Sequence, residues 1–290
     1  MSHPAPQQGD VFRDGTSRAG FAEGELTTVI VTYDSAEVVA QCLASLRCCS
    51  AGTVLVVDNA SSDNSVELAR AAGVGVHVLD RNHGFAVAAN YGARAARSRF
   101  LCFLNPDCFV EAELLKTAAT ALRQDGRCIA LPSFLHDDGV VIPGCQPGYT
   151  WKKLLADIIE NNRHWPRVLR LLKGLPGYDS GSWKWPLCAC AFIPRDLFLE
   201  VGGFDERYFL YMEDVELGLS ISRIGGTVVA LDSTVRHRSQ TGSSVNPGRR
   251  LSLLNRARLQ FARRHYGAFF EWLLRRVMPA RRRVAAEEAG

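Results

Sequence analysis

Within its first 105 residues the chain lays down four short apolar runs separated by three stretches of helical periodicity, and few folds accommodate that alternation. "TTVIVTY" (27–33) precedes the pattern Val38, Val39, Cys42, Leu43, Leu46. "TVLVVDN" (53–59) precedes "NSVELARAAG", which Gly73 closes, and "GVHVL" (75–79) precedes an Ala-rich stretch over 84–97. "RFLCFLN" (99–105) then stops at Pro106. Such strand and helix alternation predicts an α/β architecture with a doubly wound, mostly parallel sheet. Right-handed crossovers place the strand ends on one edge, where sheets of this kind bind ligands.

Beyond residue 105 the spacing predicts a helix over 111–126 and a strand at "CIALPSFL" (128–135). Residues 136–186, rich in Gly, Pro and Trp, carry one candidate helix at 151–173 and no assignable path. A strand "PLCACAFIP" (186–194), helices around 195–201 and 214–224, a strand "GTVVALD" (226–232) and a helical last forty residues complete the pattern. The expected organisation is a disordered start over 1–25, an α/β body over 26–245 in two halves (26–135 and 136–245), and basic amphipathic helices over 246–290. With 290 residues, 47% of them hydrophobic, a substantial core can form. No apolar run reaches the roughly 18 residues of a membrane span, and the first 25 residues do not read as a signal peptide, so a cytoplasmic location is expected. The nine cysteines form no CxxC pair and read as small core residues in a reducing compartment.

Polar residues sit at three strand ends on the expected ligand edge: Thr32, Tyr33 and Asp34; Asp58 and Asn59; Asn105 and Asp107. One polar strand end is ordinary turn chemistry. Three on one edge suit a nucleobase and ribose, and a carboxylate on a tight Pro turn suits a divalent cation. "RNHGFAVAANYG" (81–92) adds Arg81, Asn82 and a Gly84 turn, but neither a dinucleotide fingerprint nor a phosphate-loop lysine. Arg81 reads equally as a phosphate contact and as a solvated residue before a helix. "RYFLYMEDVE" (207–216) sets Glu213 and Asp214 at the start of a buried-faced helix, as a cap or as a catalytic acid pair.

In order and spacing, "VIVTYDS", "VVDNASSD", "RNHGFAVAANYG", "FLNPD" and "GGFDERYFLYMEDVEL" resemble the family 2 glycosyltransferases of GT-A fold, particularly the bacterial rhamnosyltransferase-like branch. The resemblance runs from about residue 26 to 266. It implies an inverting transfer of a sugar from a dTDP- or UDP-sugar, with dTDP-L-rhamnose preferred and a UDP-hexose or UDP-galactofuranose as the alternative. A GT-A-fold binding protein without turnover is the rival from another class. The resemblance further implies that Thr32 and Tyr33 hold and stack the base, that Asp58 accepts a hydrogen bond from it, and that Asn59, Arg81, Asn82, Gly84 and Asn105 complete the donor site. Asp107 takes the last position of the metal-binding DxD motif, Asn105 replaces its first acid, and His237 matches a position that can complete a Mg²⁺ or Mn²⁺ site; a structural histidine is the other reading of His237. Asp214 becomes the general base and Glu213 its neighbour at the acceptor, with Asp205 in the acceptor loop. Trp183 and Trp185 read as sugar-stacking surfaces or as core aromatics.

From Arg249 to Arg283 eleven arginines face one acid, Glu271, so a mildly acidic body ends in a basic tail. Phe269, Trp272, Leu273 and Arg276 fall near one helical face. That face suits an anionic bilayer and a lipid-linked acceptor at the cytoplasmic side of the inner membrane. Packing of the same residues on the body, or against a second subunit, is the competing reading. No nucleic-acid reading motif accompanies the charge.

Overall fold

A computed structural model of the chain describes residues 20–49, 52–159, 170–171, 173–174, 183–238 and 247–278. The strand and helix order begins β1 (Leu26–Thr32), α1 (Ala36–Cys48), β2 (Thr53–Asp58), α2 (Ser65–Ala71), β3 (Gly75–Val78), α3 (Phe85–Ala95), β4 (Phe100–Leu104). It continues with β5 (Cys108–Phe109), α4 (Ala112–Gln124), β6 (Cys128–His136), β7 (Val141–Ile142), β8 (Cys145–Pro147) and α5 (Trp151–Ile159). Then come β9 (Lys184–Pro186), β10 (Cys190–Pro194), α6 (Arg195–Glu200), α7 (Glu213–Arg223), β11 (Thr227–His237) and α8 (Pro247–Val277).

The main sheet runs β3-β2-β1-β4-β10-β6-β11-β5, with β7 on β6. Its first four strands are parallel, as expected. The other half is mixed: β10 runs antiparallel to both neighbours, β11 is parallel to β6, and β5 is antiparallel to β11. The physical reason lies in the connection. The 136–186 excursion returns the chain to the site edge, so β10 starts where β4 ends and must run the other way.

Apolar side chains cover both faces. Helices α1, α2 and α4 pack one side through Val39, Leu43, Leu46, Leu115 and Leu122. Helices α3, α6 and α7 pack the other through Ala89, Ala93, Phe198, Leu217 and Ile221. Burying such side chains contributes roughly 1.5–3 kcal/mol each for the larger ones. Of the nine cysteines, all among the described residues and all free, only Cys48 at the end of α1 is exposed.

Several expectations need correcting. Residues 20–25, assigned to the disordered start, are packed: Phe21 is buried and its ring lies 5.6 Å from that of Phe100 and 6.4 Å from that of Phe192. The remainder of that start, residues 1–19, falls outside the described residues. Of the candidate helix at 151–173, Trp151–Ile159 forms α5 and residues 170–171 are helical, while residues 160–169 and 172 are likewise outside the described residues. The last strand runs eleven residues, to His237, past an irregularity between Ala230 and Thr234.

The C-terminal segment also differs from a detached amphipathic tail. In α8, Ala257, Leu259, Phe261, Ala262 and Leu274 enter a third apolar cluster with Leu154, Ile158, Tyr208 and Val215. Arg258 pairs with Asp157 at 3.0 Å, and His265 reaches the buried Glu216 at 2.8 Å. The helix is broken at Gly267, whose φ of 87° lies in the left-handed region. Beyond the break Phe269 and Trp272 are 76% and 50% exposed, with rings stacked at 5.8 Å and Arg276 over Trp272. Among the described residues no helix is long and apolar enough to cross a membrane.

Candidate active site

The parallel strands β1, β2 and β4 deliver their C-terminal ends to one edge, in register Thr32 with Asp58. There Thr32 Oγ1 donates to Asp58 Oδ1 at 2.7 Å, and Ser61 donates to the same carboxylate through its backbone N–H at 2.8 Å and its hydroxyl at 2.5 Å. Both Thr32 and Asp58 are fully buried. Their geometry therefore differs from direct contact with a base: the carboxylate is spent on fixing the loop after β2. Asp34, at φ 48°, accepts the backbone N–H of Ser62 at 2.7 Å and ties the loop after β1 to it.

Asn59 clamps the next turn. Its side-chain amide donates to Gly84 O at 3.1 Å and accepts from the His83 N–H at 3.2 Å, while Asn82 Oδ1 accepts the Gly84 N–H at 2.9 Å. Gly84 is required here twice over. Its φ is +87°, and a Cβ would lie 2.2 Å from Phe209 O, the carbonyl that accepts the Phe85 N–H at 3.0 Å. This close approach seats the 207–212 loop on the donor turn. From the other side the buried Asn90 of α3 holds the loop's start, donating to Phe204 O at 2.8 Å and accepting from the Phe204 N–H at 2.9 Å.

The cleft so formed has two connected parts. The inner part, about 200 Å³, is lined by Tyr33, Asn59, Asn82, Gly84, Asn105 and Asp107, among others. The outer part, about 760 Å³, lies between the 207–210 segment and the first turns of α8. Tyr33, Asn82, Phe209, Leu210, Arg249 and Leu253 line both. Sequence reasoning missed the last four of these. Phe209 and Leu210 stand in the aromatic run before the acids, but Arg249 and Leu253 reach the cleft only because α8 folds back over the sheet edge. Arg81 is exposed and lines neither part.

Asp107 and His237 meet across the β5–β11 pairing, with Nε2 of His237 3.3 Å from Oδ1 of Asp107. Both are largely buried, and the Nδ1 of His237 has no hydrogen-bond partner among the described residues. A carboxylate oxygen and an imidazole nitrogen so placed can hold a divalent cation such as Mn²⁺ or Mg²⁺. Cys108 also comes within 4.8 Å of this pair, but burial pushes its thiol well above the ordinary range and keeps it protonated.

Glu213 and Asp214 open α7 behind two consecutive left-handed residues, Tyr211 at φ 71° and Met212 at φ 68°. Non-glycine residues adopt this conformation at a cost, and such strain gathers at functional sites. Neither acid caps the helix through its side chain; Asp214 Oδ1 instead accepts the neighbouring Val215 N–H at 2.8 Å. Burial pushes the Asp214 carboxyl up to about 7, and burial followed by repulsion from Asp214 pushes Glu213 well above the ordinary carboxylate range. The helix dipole, which favours a charged carboxylate, is outweighed. The pair is held at the same edge as Asp107: Ala189 O accepts the Asn105 N–H at 2.8 Å, and the adjoining Cys188 thiol feels both acids.

The proposed acceptor residues fare differently. Asp205 is bound by Arg207, through Nε at 2.8 Å, and by Arg264 at 3.2 Å, so its carboxylate is spent on joining the loop to α8 rather than left for a sugar. Trp185 lies in β9, which pairs antiparallel with β8, and Trp183 just before it, both partly buried against the third apolar cluster. The backbone of Trp185 crosses α7 at Gly218, where a Cβ would lie 2.6 Å from Trp185 Cα. These aromatics brace the helix that carries Asp214.

The chain is similar to known proteins in sequence and in fold. Residues 27–166 match Glycosyl transferase family 2. The chain is 28% identical to the N-acetylglucosaminyl-diphospho-decaprenol L-rhamnosyltransferase of Mycobacterium tuberculosis, over 86% of this chain and 89% of that one. Among solved structures it is similar to GalNAc-T7 with UDP, GalNAc and Mn²⁺ (17% identity, TM-score 0.57), covering 77% of this chain but only 44% of that one. It is also similar to a mannosyltransferase from Pyrobaculum calidifontis in complex with GDP-Man and Mn²⁺ (15% identity, TM-score 0.54), covering 91% and 73%. At these identities the two structures establish the fold alone.

Proposed function

We propose that this chain, whose residues 27–166 match Glycosyl transferase family 2, is an inverting, cation-dependent enzyme that moves L-rhamnose from dTDP-rhamnose to a hydroxyl of a lipid-linked or polysaccharide acceptor. The reading is supported by a pair fit to hold a cation, Asp107 and His237, beside the inner cleft, and by two carboxyls of raised pKa, buried Glu213 and half-buried Asp214, at the start of the helix that follows the 207–212 loop. The rhamnose assignment is supported by the mycobacterial relative, whose name also specifies a lipid-diphosphate acceptor.

In this reading Tyr33, Asn59, Asn82, Gly84 and Asn105 receive the donor in the inner cleft, and Thr32 and Asp58 hold the loops that carry them. Asp107 and His237 would hold a divalent cation, which when bound would supply positive charge to stabilise the departing diphosphate. Asp214 takes the proton of the acceptor hydroxyl as its oxygen bonds to the anomeric carbon, from the face opposite the breaking bond to the diphosphate. With a carboxyl near 7, Asp214 is matched to that task at neutral pH. Glu213 stands beside it with its carboxyl pushed above the ordinary range by burial and by Asp214, and its Oε2, without a hydrogen-bond partner among the described residues, is left for the acceptor. The exposed Phe269 and Trp272 with Arg276 support a peripheral position on the anionic cytoplasmic face of the inner membrane.

A thermal-shift titration with UDP, dTDP, GDP and CMP, each with and without Mg²⁺ or Mn²⁺, tests the reading. A cation-dependent rise with dTDP or UDP is expected, since ligand binding to the folded state raises the midpoint by mass action. No rise with any nucleotide, for a folded protein, overturns it. A rise confined to GDP removes the dTDP-rhamnose assignment and keeps the transferase.

A further inference from the structure

Among the described residues that line the inner cleft, Asp107 is the one acid and Arg249 the one cation. The two share a space of about 200 Å³, and no ion pair among the described residues joins them; Asp107 is turned to His237, 3.3 Å away. Arg249 is exposed and makes no hydrogen bond or ion pair among the described residues. Other arginines around it are engaged: Arg207 by Asp205, Arg258 by Asp157, Arg264 by Asp205 and Glu216. The place of Arg249 follows from α8. Arg249, Ser252, Leu253, Arg256, Ala257 and Gln260 recur at helical spacing and turn one face to the cleft, but only Arg249 and Leu253 line its inner part as well. Further along, Ala257 and Phe261 enter the third apolar cluster and His265 reaches Glu216, so packing fixes the helix before any ligand arrives. The helix begins at Pro247, which sets the partial positive charge of its N-terminus beside Arg249. Arg81, the phosphate candidate of the sequence, lines neither part of the cleft. A guanidinium stays charged at any working pH, and its planar fork matches phosphate oxygens in geometry as well as charge. That charge is wanted here, because Asn105 lines the cleft where a second acid would help to hold a cation, and Asp107 is left as the single carboxylate.

We propose that Arg249 binds the diphosphate of the nucleotide donor and stabilises the charge that gathers on it as the bond from the sugar to the phosphate breaks. The inference rests on the transferase reading and adds to it a binding residue that lies outside the matched segment 27–166. The test titrates the full chain, saturated with Mg²⁺, calorimetrically with dTDP and with UDP, each against its nucleoside, thymidine or uridine. In Arg249→Gln the diphosphate affinity is expected to fall about tenfold or more, while nucleoside affinity stays within about twofold. Arg249→Lys, which keeps the charge and loses the fork, recovers part of the loss. Raising salt should weaken diphosphate binding more in the wild type than in Arg249→Gln. A folded Arg249→Gln that binds dTDP and UDP as the wild type does overturns the proposal. Equal loss of nucleoside binding overturns it too, because the substitution then disturbs the cleft rather than a phosphate contact. So does a loss seen in Arg81→Gln in place of Arg249→Gln. Should Arg249→Gln not fold, the wild type still decides: diphosphate binding that salt leaves unchanged overturns the proposal. Wild-type protein that binds no nucleotide fails the transferase reading itself, whereas nucleotide binding untouched by Arg249→Gln fails this inference alone.

Discussion

Burial sets the chemistry of Asp214 more than its place on a helix does. As a residue near a helix N-terminus it reads as a charged carboxylate, yet burial raises it to about 7. Transfer is expected to rise as pH increases through about 7, because only the ionised base accepts the acceptor's proton; a profile already flat at pH 5 would remove the assignment. Asp214→Asn should lower kcat by at least a hundredfold and leave the donor-induced thermal shift in place. The stability sign runs the other way: a carboxyl raised in the folded state holds its proton more tightly there, so its contribution falls as pH climbs from the ordinary carboxylate range through about 7. At Gly84, alanine brings both a left-handed φ and a 2.2 Å contact with Phe209 O. Gly84→Ala should therefore raise the donor KM and lower the melting midpoint together, as fluorescence binding and calorimetric melting would show. Thr32 and Asp58 were legible as polar strand ends, but their role was not. The hydroxyl and N–H of Ser61 that occupy Asp58 belong to a loop whose path no periodicity reveals.

At the scale of elements, α8 and α7 act as one unit through Glu216. This buried carboxylate, two residues after Asp214, accepts from Tyr208 Oη at 3.3 Å and His265 Nε2 at 2.8 Å and lies 3.3 Å from Arg264 Nε. Removing one partner of a buried pair strands the other, at about 3–5 kcal/mol. Glu216→Leu should lower the urea-unfolding free energy by that order, whereas Glu113→Gln, which breaks the exposed pair with Lys116, should cost no more than about 1 kcal/mol. The helices themselves were readable from the spacing of Val38, Val39, Cys42, Leu43 and Leu46, and of Leu217, Ile221 and their neighbours. What could not be read was the partner of α8. Its arginines register in the sequence as a charge run, and apart from Glu271 within the helix the acids that meet them are distant in sequence: Asp157 lies 101 residues before Arg258, and Asp205 59 residues and Glu216 48 residues before Arg264.

At the scale of the whole molecule, the parallel half of the sheet was legible because each βαβ step is local and each strand is a continuous apolar run. The mixed half was not, since the reversal of β10 depends on a long excursion with little periodicity. In the proposed function the two parts divide the work: the parallel strands would supply the donor edge, and the mixed half with α7 and α8 the acids and the outer wall. The exposed end of α8 gives the molecule a preferred face. Co-sedimentation with vesicles containing phosphatidylglycerol should exceed that with phosphatidylcholine alone, and Phe269→Ser with Trp272→Ser should reduce it at least fivefold without altering nucleotide binding; equal sedimentation of wild type and double variant would remove the membrane face. The distribution of thiols has a practical corollary. Cys48 ends a helix that begins at Ala36, just past the end of β1, and it is the one exposed thiol of the nine, Cys145 being half-buried and the other seven buried. A maleimide dye added to the native protein should therefore react first at one atom, at the end of α1 remote from the cleft, and label the molecule without mutagenesis.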